Sequence, residues 1–205
     1  MSNNANSLIV LDFETSGLSP DNGDRAIEIG AVKIENGKIT EKFQSLMNPG
    51  FRINNFIENY TGITNHMLQS APPCHEVMGD FADFIGDDNL LAHNASFDKK
   101  FLDAEFNQIA QRYSGEFACS LLVSRRINTN APNHQLGTLV NFMNIASEGS
   151  FHRALFDAEM TAKLWLAMLN NIQQQINQTS VPFELIQKIA KTPKKNVAAL
   201  LDKWS

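Results

Sequence analysis

The segment Leu8–Thr15 joins the pattern of a buried strand to two acidic residues. Its first four residues are apolar and β-favouring, which predicts a strand buried on both faces. Asp12 and Glu14 then stand two residues apart, so their side chains project from the same face of the strand. Carboxylates held this close favour a shared proton or cation, and oxygen ligands suit Mg²⁺ or Mn²⁺. The segment predicts a metal site; a strand that simply ends in the polar turn 15–17 is the alternative.

The length and composition indicate one globular domain of ordinary kind. The 205 residues are 43% hydrophobic and 19% charged. We expect residues 1–176 to form this domain and residues 177–205 to add a small helical extension, because the composition turns to Gln, Asn and Thr near position 177. Within the extension, Thr192 and Pro193 have the residue types of a helix N-cap and a first helical position.

Several further properties bear on location and partners. The polar start of the chain carries no secretion signal, so we expect a cytoplasmic protein. No apolar run reaches the roughly 18 residues that a membrane-spanning helix needs, which predicts no membrane partner. Cys74 and Cys119 are too few for a disulfide framework and are expected to be reduced. The net charge of −5 argues only weakly against a nucleic-acid partner, because carboxylates that bind cations no longer repel phosphate.

The order of the predicted elements indicates an α/β fold. Asn36-Gly37 between the strand-like runs 26–34 and 38–47 predicts a hairpin, so the first three strands form a meander. Apolar residues at helical spacing then predict helices over 75–85, from Ser96, around 136–143 and over 155–172, and short apolar runs predict strands at 90–93 and 117–121. The fold predicted is a mixed β-sheet, a three-strand meander plus further strands, flanked by helices.

Two more acids lie where this topology can bring them to the first pair. Asp98 opens a helix just after a predicted strand, at the carboxyl end where open α/β sheets place their sites. Asp157 lies early in the long helix, and His152, five residues before it, is expected on the preceding loop 149–151. Each acid alone is also what a helix dipole favours near an N-terminus. Glu28 is expected beside the acidic strand, either supporting a metal site or solvated.

Together these acidic motifs resemble those of a known enzyme class. The motifs are Asp12-Phe13-Glu14-Thr15, Asn94-Ala95-Ser96-Phe97-Asp98 and His152-Arg153-Ala154-Leu155-Phe156-Asp157. They resemble, in the same order, the motifs of the DEDDh class of 3′→5′ exonucleases, which includes the proofreading epsilon subunit of bacterial DNA polymerase III, ribonuclease T and oligoribonuclease. The resemblance covers residues 8–169 and implies a ribonuclease H-like fold.

The resemblance also implies a catalytic set, which is Asp12, Glu14, Asp98, His152 and Asp157. The four carboxylates would hold two divalent cations, Mg²⁺ or Mn²⁺, with Asp12 bridging them. A pair of cations suits in-line attack on a phosphodiester, because both the attacking and the leaving oxygen carry charge. His152 would act as the general base, since the pKa of histidine lies close to neutrality.

Contacts to the substrate are implied for Thr15, Leu18, Thr61, Asn94 and Phe97. Leu18 would be a wedge against the terminal bases and Phe97 a stacking partner, while the others would touch the terminal sugar or phosphate. Each has a structural alternative: Leu18 capping the sheet, Phe97 in the core, Thr61 ending a helix. None of these contacts reads a base, so we expect an enzyme that tolerates any sequence at a single-stranded end.

The function implied is a metal-dependent 3′→5′ exonuclease of the proofreading or repair type, which hydrolyses single-stranded DNA ends to nucleoside 5′-monophosphates. An RNA-trimming exoribonuclease similar to ribonuclease T or oligoribonuclease is the alternative, because recognition of a 2′-hydroxyl is not written in the motifs. A different class is a non-catalytic adaptor that binds a polymerase or clamp. The intact acids and His152 argue against the adaptor.

The segment Gln178-Thr179-Ser180-Val181-Pro182-Phe183 resembles the short clamp-binding motif of bacterial polymerase-associated proteins. Gln178 would be its polar residue, and Val181 and Phe183 would be its apolar anchors for a sliding clamp. The alternative is a linker in which both apolar side chains pack back onto the domain.

Overall fold

A computed structural model of the protein describes residues 4–147, 149 and 151–205. Its strands are β1 (Leu8–Thr15), β2 (Ala26–Glu35), β3 (Lys38–Leu46), β4 (Leu90–Ala92) and β5 (Phe117–Cys119). Its helices are α1 (Asn55–Thr61), α2 (Asn65–Gln69), α3 (Cys74–Ile85), α4 (Ser96–Gln108), α5 (Ser120–Ile127), α6 (Leu136–Phe142), α7 (Ala154–Ile176), α8 (Phe183–Lys191) and α9 (Val197–Leu201). Short 3₁₀ turns cover Pro20–Asn22, Lys194–Asn196 and Asp202–Trp204.

The five strands form one mixed sheet in the order β3-β2-β1-β4-β5, with β1 at its centre. The hairpin predicted from Asn36-Gly37 is present: β1, β2 and β3 are antiparallel neighbours. β4 then runs parallel to β1, and β5 parallel to β4. Because β1 and β4 are parallel, the segments that follow them emerge at the same edge of the sheet. The acidic ends of both segments therefore meet there.

Helices cover both faces of the sheet. On one face, α3 and α4 pack through Phe81, Phe101 and Phe106 against the apolar side chains of β1 and β4. On the other face, α7 crosses β1 and β2, and its Trp165 is fully buried and donates a hydrogen bond to the backbone oxygen of Ala5 at 2.8 Å. Strands buried on both faces read as continuous apolar runs, which explains the sequence of β1.

A single glycine sets how closely α7 approaches the sheet. Gly30 of β2 lies opposite Asp12 of β1. A Cβ atom at Gly30 would collide with the backbone of Ala154 and Leu155, at the start of α7. Glycine is the residue that lets two backbones come this near. The N-terminal turn of α7 is therefore held beside the acidic part of β1.

The C-terminal segment joins the same core. Val181 and Phe183 are 2% and 3% exposed, and the backbone oxygen of Val181 accepts a hydrogen bond from Ala5. Both residues belong to the cluster that contains Trp165 of α7. The clamp interaction through Gln178, Val181 and Phe183 is therefore not supported, because only Gln178 among the three is exposed and the two apolar anchors are already packed inside the domain.

Some local predictions were wrong. Thr192 does not begin a helix: it is the C-cap of α8, and its hydroxyl donates to the backbone oxygen of Lys188. The predicted strand 117–121 ends at Cys119, and α5 begins at the next residue. Within the described residues, Cys74 and Cys119 are free thiols, and none of the described helices is long and apolar enough to cross a membrane. Ser150, in the predicted loop 149–151, lies outside the described residues.

Candidate active site

Strand β1 carries the first two acids. Asp12 and Glu14 lie on one face of the strand, as the alternation predicts. Glu14 is 8% exposed and stands opposite Glu28 of β2 in the antiparallel register. Asp12 is half-buried at the floor of the cleft described below. Strand β1 thus holds two carboxylates among apolar neighbours, where they are poorly solvated.

The start of α4 brings Asp98 to the same edge. Asp98 is buried in the first turn of the helix that follows β4, and its Oδ1 accepts a hydrogen bond from the backbone nitrogen of Phe13 at 3.2 Å. Phe13 lies between Asp12 and Glu14 in the sequence, so this bond ties Asp98 to the acidic strand itself. Residues 85 positions apart in the chain are therefore joined directly.

The start of α7 brings Asp157 and His152. Asp157 is buried in the first turn of the helix, and its Oδ2 accepts from the backbone nitrogen of His152 at 2.8 Å. His152 lies before the N-cap, as predicted, with a left-handed φ of 70° that turns the chain back toward the acid. A carboxylate oxygen of Glu14, one of Asp157 and a ring nitrogen of His152 all lie within 4.8 Å of one another.

An ion pair to a buried glutamate fixes this start of α7 on the sheet. Arg153 donates to both carboxylate oxygens of Glu28, from Nη2 at 2.7 Å and from Nε at 3.1 Å. The backbone nitrogen of Ala154 adds a bond to Glu28 at 3.1 Å, and Gln44 donates from β3. Glu28 is fully buried. Of the two interpretations of Glu28, the solvated one is wrong, because the side chain is buried and bonded to the start of α7.

The electrostatics of the acids reflect burial and mutual repulsion. Burial, followed by the charges of Asp98 and Asp157, raises the pKa of Asp12 well above its usual range. Burial and the charge of Asp157 raise the pKa of Glu14 to about 8. Burial raises the pKa of Asp98 to about 7 and also raises that of Asp157. Like charges in a poorly solvated place disfavour ionisation, and a bound cation removes that penalty.

The donor set fits divalent cations. Asp157 Oδ1 is buried and has no hydrogen-bond partner among the residues that the structure describes, and a buried unpaired polar atom is costly. Carboxylate oxygens are the ligands that Mg²⁺ and Mn²⁺ prefer. The four acids converge, and among the described residues no cationic side chain is bonded to them. A metal ion is the partner that would neutralise their negative charge.

A cleft of about 750 Å³ opens above these acids. All five predicted substrate-binding residues line it: Thr15, Leu18, Thr61, Asn94 and Phe97. Leu18 is 80% exposed, so it does not cap the sheet as a core residue would. Phe97 is partly buried against Phe101 at a ring distance of 5.1 Å. The Thr61 hydroxyl bonds to the backbone of Ile57 and Ile63 within the α1 turn.

Sequence reasoning missed three residues at this site. The sequence indicated no structural role for Arg153, although its bond to Glu28 positions α7. Tyr60 packs its ring against that of His152, with centroids 4.1 Å apart, and Phe56 stacks on Tyr60 at 5.9 Å. Phe56 and Tyr60 are 71% and 51% exposed on α1. Two exposed aromatic rings one helical turn apart were the available signal.

Comparison with known proteins decides the family. Residues 9–165 match the family model RNase_T, described as exonuclease. The chain belongs to this exonuclease family. The exonuclease is also 38% identical over 169 residues to the DNA polymerase III PolC-type of Bacillus subtilis, an alignment that covers 82% of this chain and 12% of that protein. A PolC-type polymerase of Caldanaerobacter subterraneus is 37% identical over 166 residues, with the same 12% of its length covered. The chain thus spans a small part of these relatives.

Solved structures share the fold of this exonuclease. Exonuclease X in complex with 5′ overhanging duplex DNA aligns with a TM-score of 0.71 and 24% identity, over 89% of this chain and 99% of that one. The nuclease domain of 3′hExo, described as a DEDDh family member bound to rAMP, aligns with a TM-score of 0.69 and 19% identity, over 81% of this chain and 92% of that one. The predicted ribonuclease H-like fold and the resemblance to DEDDh exonucleases are confirmed.

Proposed function

We propose that this exonuclease removes nucleotides one at a time from the 3′ ends of single-stranded DNA. The observation that carries the proposal is the convergence of Asp12, Glu14, Asp98 and Asp157 with His152 in one open cleft. The homology to PolC-type DNA polymerases favours DNA over RNA. The same acids and histidine argue for turnover and against a role as a non-catalytic adaptor.

The metal-binding roles follow from the donor set. Asp12, Glu14 and Asp157 would hold one divalent cation, Mg²⁺ or Mn²⁺, and Asp12 and Asp98 would help to hold a second. When bound, the pair would stabilise the charge that develops on the attacking and leaving oxygens of the phosphodiester. The orphaned Oδ1 of Asp157 supports this assignment, because it is a ligand atom without another partner.

His152 would act as the general base. It is exposed in the cleft, next to Glu14 and Asp157, and its backbone nitrogen is held by Asp157. The imidazole would accept a proton from a water molecule as the water oxygen attacks phosphorus. The bond from phosphorus to the 3′ oxygen of the preceding nucleotide then breaks, and this oxygen takes up a proton from solvent to become the new 3′ hydroxyl. The products are a nucleoside 5′-monophosphate and a strand shortened by one nucleotide.

The substrate contacts are assigned from the lining of the cleft. Leu18 and Phe97 offer apolar surface on which unpaired bases can stack. Thr15, Thr61 and Asn94 offer polar groups for the terminal sugar and phosphate. The Thr15 hydroxyl donates to the backbone oxygen of Gly17, which leaves its lone pairs for a ligand hydroxyl. The Thr61 hydroxyl donates to the backbone oxygen of Ile57 and accepts from the backbone nitrogen of Ile63, which leaves it one lone pair. None of these groups reads a base edge, so we expect little sequence preference.

The division of the chain is part of the same proposal. Residues 1–176 form the exonuclease domain, which includes the matched residues 9–165. Residues 177–205 form a C-terminal helical extension that covers the outer face of the core through Leu185, Ile186 and Ile189.

A paired time course tests the function. Matched 5′-labelled DNA and RNA oligonucleotides are incubated with the protein and Mg²⁺, and then with a chelator in place of the metal. We expect a ladder of DNA products shortened from the 3′ end, slower or no shortening of RNA, and no products with the chelator. Preferential shortening of RNA would overturn the DNA assignment, and products from 3′-blocked DNA would overturn the direction.

A further inference from the structure

The cleft does not end at the acids but continues into a second cavity of about 940 Å³. The two cavities share Asp12, His152 and Asp157, so they are two lobes of one groove that meet at the candidate metal site. We call the first the apolar lobe, since Leu18, Phe56 and Phe97 line it. We call the second the polar lobe, whose own lining includes Arg125, Asn133, His134 and Gln135.

The wall of the polar lobe is held in one conformation by hydrogen bonds. Nε2 of His93 lies 2.9 Å from the backbone oxygen of His134, and the hydroxyl of Ser124 lies 3.1 Å from Nδ1 of His134. The side chain of Asn133 accepts from the backbone nitrogen of Gln135 at 3.0 Å. Ser124 is fully buried in α5. These hydrogen bonds preorganise the loop between α5 and α6, which forms one side of the polar lobe.

Arg125 carries a positive charge in this lobe that the fold does not use. It is exposed on α5, and its side chain forms no hydrogen bond or ion pair with any residue in the described ranges 4–147, 149 and 151–205. Its neighbour Arg126 instead donates to the backbone oxygen of Thr192 at 3.2 Å, and Arg25 and Arg153 each pair with a buried glutamate. A guanidinium left unpaired in the lining of this lobe is suited to an anionic ligand.

We propose that the polar lobe binds the sugar-phosphate backbone of the single strand upstream of the cleaved bond, with Arg125 contacting a phosphate there. The proposal rests on the proposed function and deepens it, because it names the part of the strand that each lobe takes. An apolar lobe suits unpaired bases, and a guanidinium suits phosphate oxygens because its planar donors match their geometry. Arg125 also offsets the repulsion that nearby carboxylates exert on an approaching polyanion.

Two substrates separate this subsite from the site of cleavage. One is a 5′-labelled DNA octanucleotide, and the other is the p-nitrophenyl ester of thymidine 5′-monophosphate, which has a phosphodiester to hydrolyse but no upstream phosphate. Arg125→Ala should raise KM for the octanucleotide about tenfold, as expected for one charged hydrogen bond. It should leave kcat and the hydrolysis of the ester unchanged. The KM of Arg125→Lys should lie between those of the unaltered protein and Arg125→Ala, since lysine keeps the positive charge and loses the planar pair of donors.

Salt dependence and a matched variant complete the test. The slope of log affinity for the octanucleotide against log salt should fall by about 0.7 in Arg125→Ala, the amount for one phosphate contact on a single strand. Arg112→Ala removes an exposed arginine that lines neither lobe and should change nothing. An unchanged KM, or an equal loss on both substrates at an unchanged Tm, overturns the subsite. Failure of the unaltered protein to hydrolyse either substrate overturns the proposed function instead.

Discussion

Two groups of buried acids in this exonuclease differ in what surrounds them. Glu28 and Glu105 are each held by an arginine fork, from Arg153 and Arg25. In both cases the backbone nitrogen of the alanine that follows the arginine adds a third bond. These two glutamates are 0% and 2% exposed and are fully satisfied. They stabilise the positions of α7 and α4 against β2.

The acids of the cleft have no such partner. Among the described residues, no arginine or lysine forms an ion pair with Asp12, Glu14, Asp98 or Asp157, and burial raises the pKa of all four. A fold that can supply an arginine fork to two acids leaves four others unpaired within one cleft. The difference indicates that the paired acids serve the structure and that the unpaired acids are kept for a cation.

Asp12→Asn is the strongest test of this difference. The variant keeps the shape of the side chain but removes a charge central to the proposed metal site, so we expect Mg²⁺-dependent shortening of DNA to fall by at least about 10³-fold, several kcal/mol of transition-state stabilisation. The measurement is the initial rate on a 5′-labelled oligonucleotide at saturating metal. Asp80→Asn, at an exposed site on α3, is the control. Full activity in Asp12→Asn would place the chemistry elsewhere.

His152→Ala tests whether the histidine is a general base or an ion-pair partner of Asp157. If it pairs with Asp157 as Arg153 pairs with Glu28, its loss should lower Tm. If it is the general base, kcat should fall by about 10²-fold or more while KM and Tm stay nearly unchanged. We expect the second result, because His152 is exposed and no hydrogen bond from its ring is seen among the described residues. A large rise in KM at constant kcat would contradict it.

Arg153→Met tests the paired group. Glu28 would remain buried with only the bonds from Ala154 and Gln44, so we expect the folding stability to fall by about 1 to 3 kcal/mol. Urea denaturation measures this loss as a lower transition midpoint. Arg25→Met unpairs Glu105 in the same way and should destabilise to a similar degree. Only Arg153→Met should also weaken activity, because Asp157 and His152 flank Arg153. Equal activity in both variants would show that the fork does not position the site.

The sequence predicted the parts of this site that follow from local periodicity. Asp12 and Glu14 share a face because side chains alternate along a strand. Asp98 and Asp157 join them only through the parallel pairing of β1 with β4 and the crossing of α7 over Gly30, which are tertiary facts. The motif resemblance supplied that information where periodicity could not.

Other features could not be predicted from the sequence, and in each case there is a physical reason. Tyr60 reaches His152 because α1 folds over the cleft, and no local pattern records that placement. Thr192-Pro193 has the residue types that begin a helix, but α8 packs its apolar face into the core up to Lys191 and ends there. The anchors Val181 and Phe183 likewise pack inward, because burial of apolar area outweighs a six-residue motif.

The smallest effect we expect is a change in how stability depends on pH, and Glu14→Gln measures it in the absence of metal. The pKa of Glu14 is raised to about 8 in the folded protein, against about 4.3 for an unfolded glutamate. Between these values the folded state binds more protons, so this residue makes the metal-free protein less stable as pH rises. With a chelator present, Tm should therefore fall less steeply from pH 5 to 8 in Glu14→Gln than in the unaltered protein. Glu76→Gln, at an exposed site on α3, should keep the original slope.

Saturating Mg²⁺ should raise Tm at pH 8 in the unaltered protein and much less in Glu14→Gln, because the lost carboxylate is a proposed ligand. Identical slopes in both proteins would mean that Glu14 is solvated and ionised without a metal, and the contrast with the arginine-paired glutamates would then not extend to it.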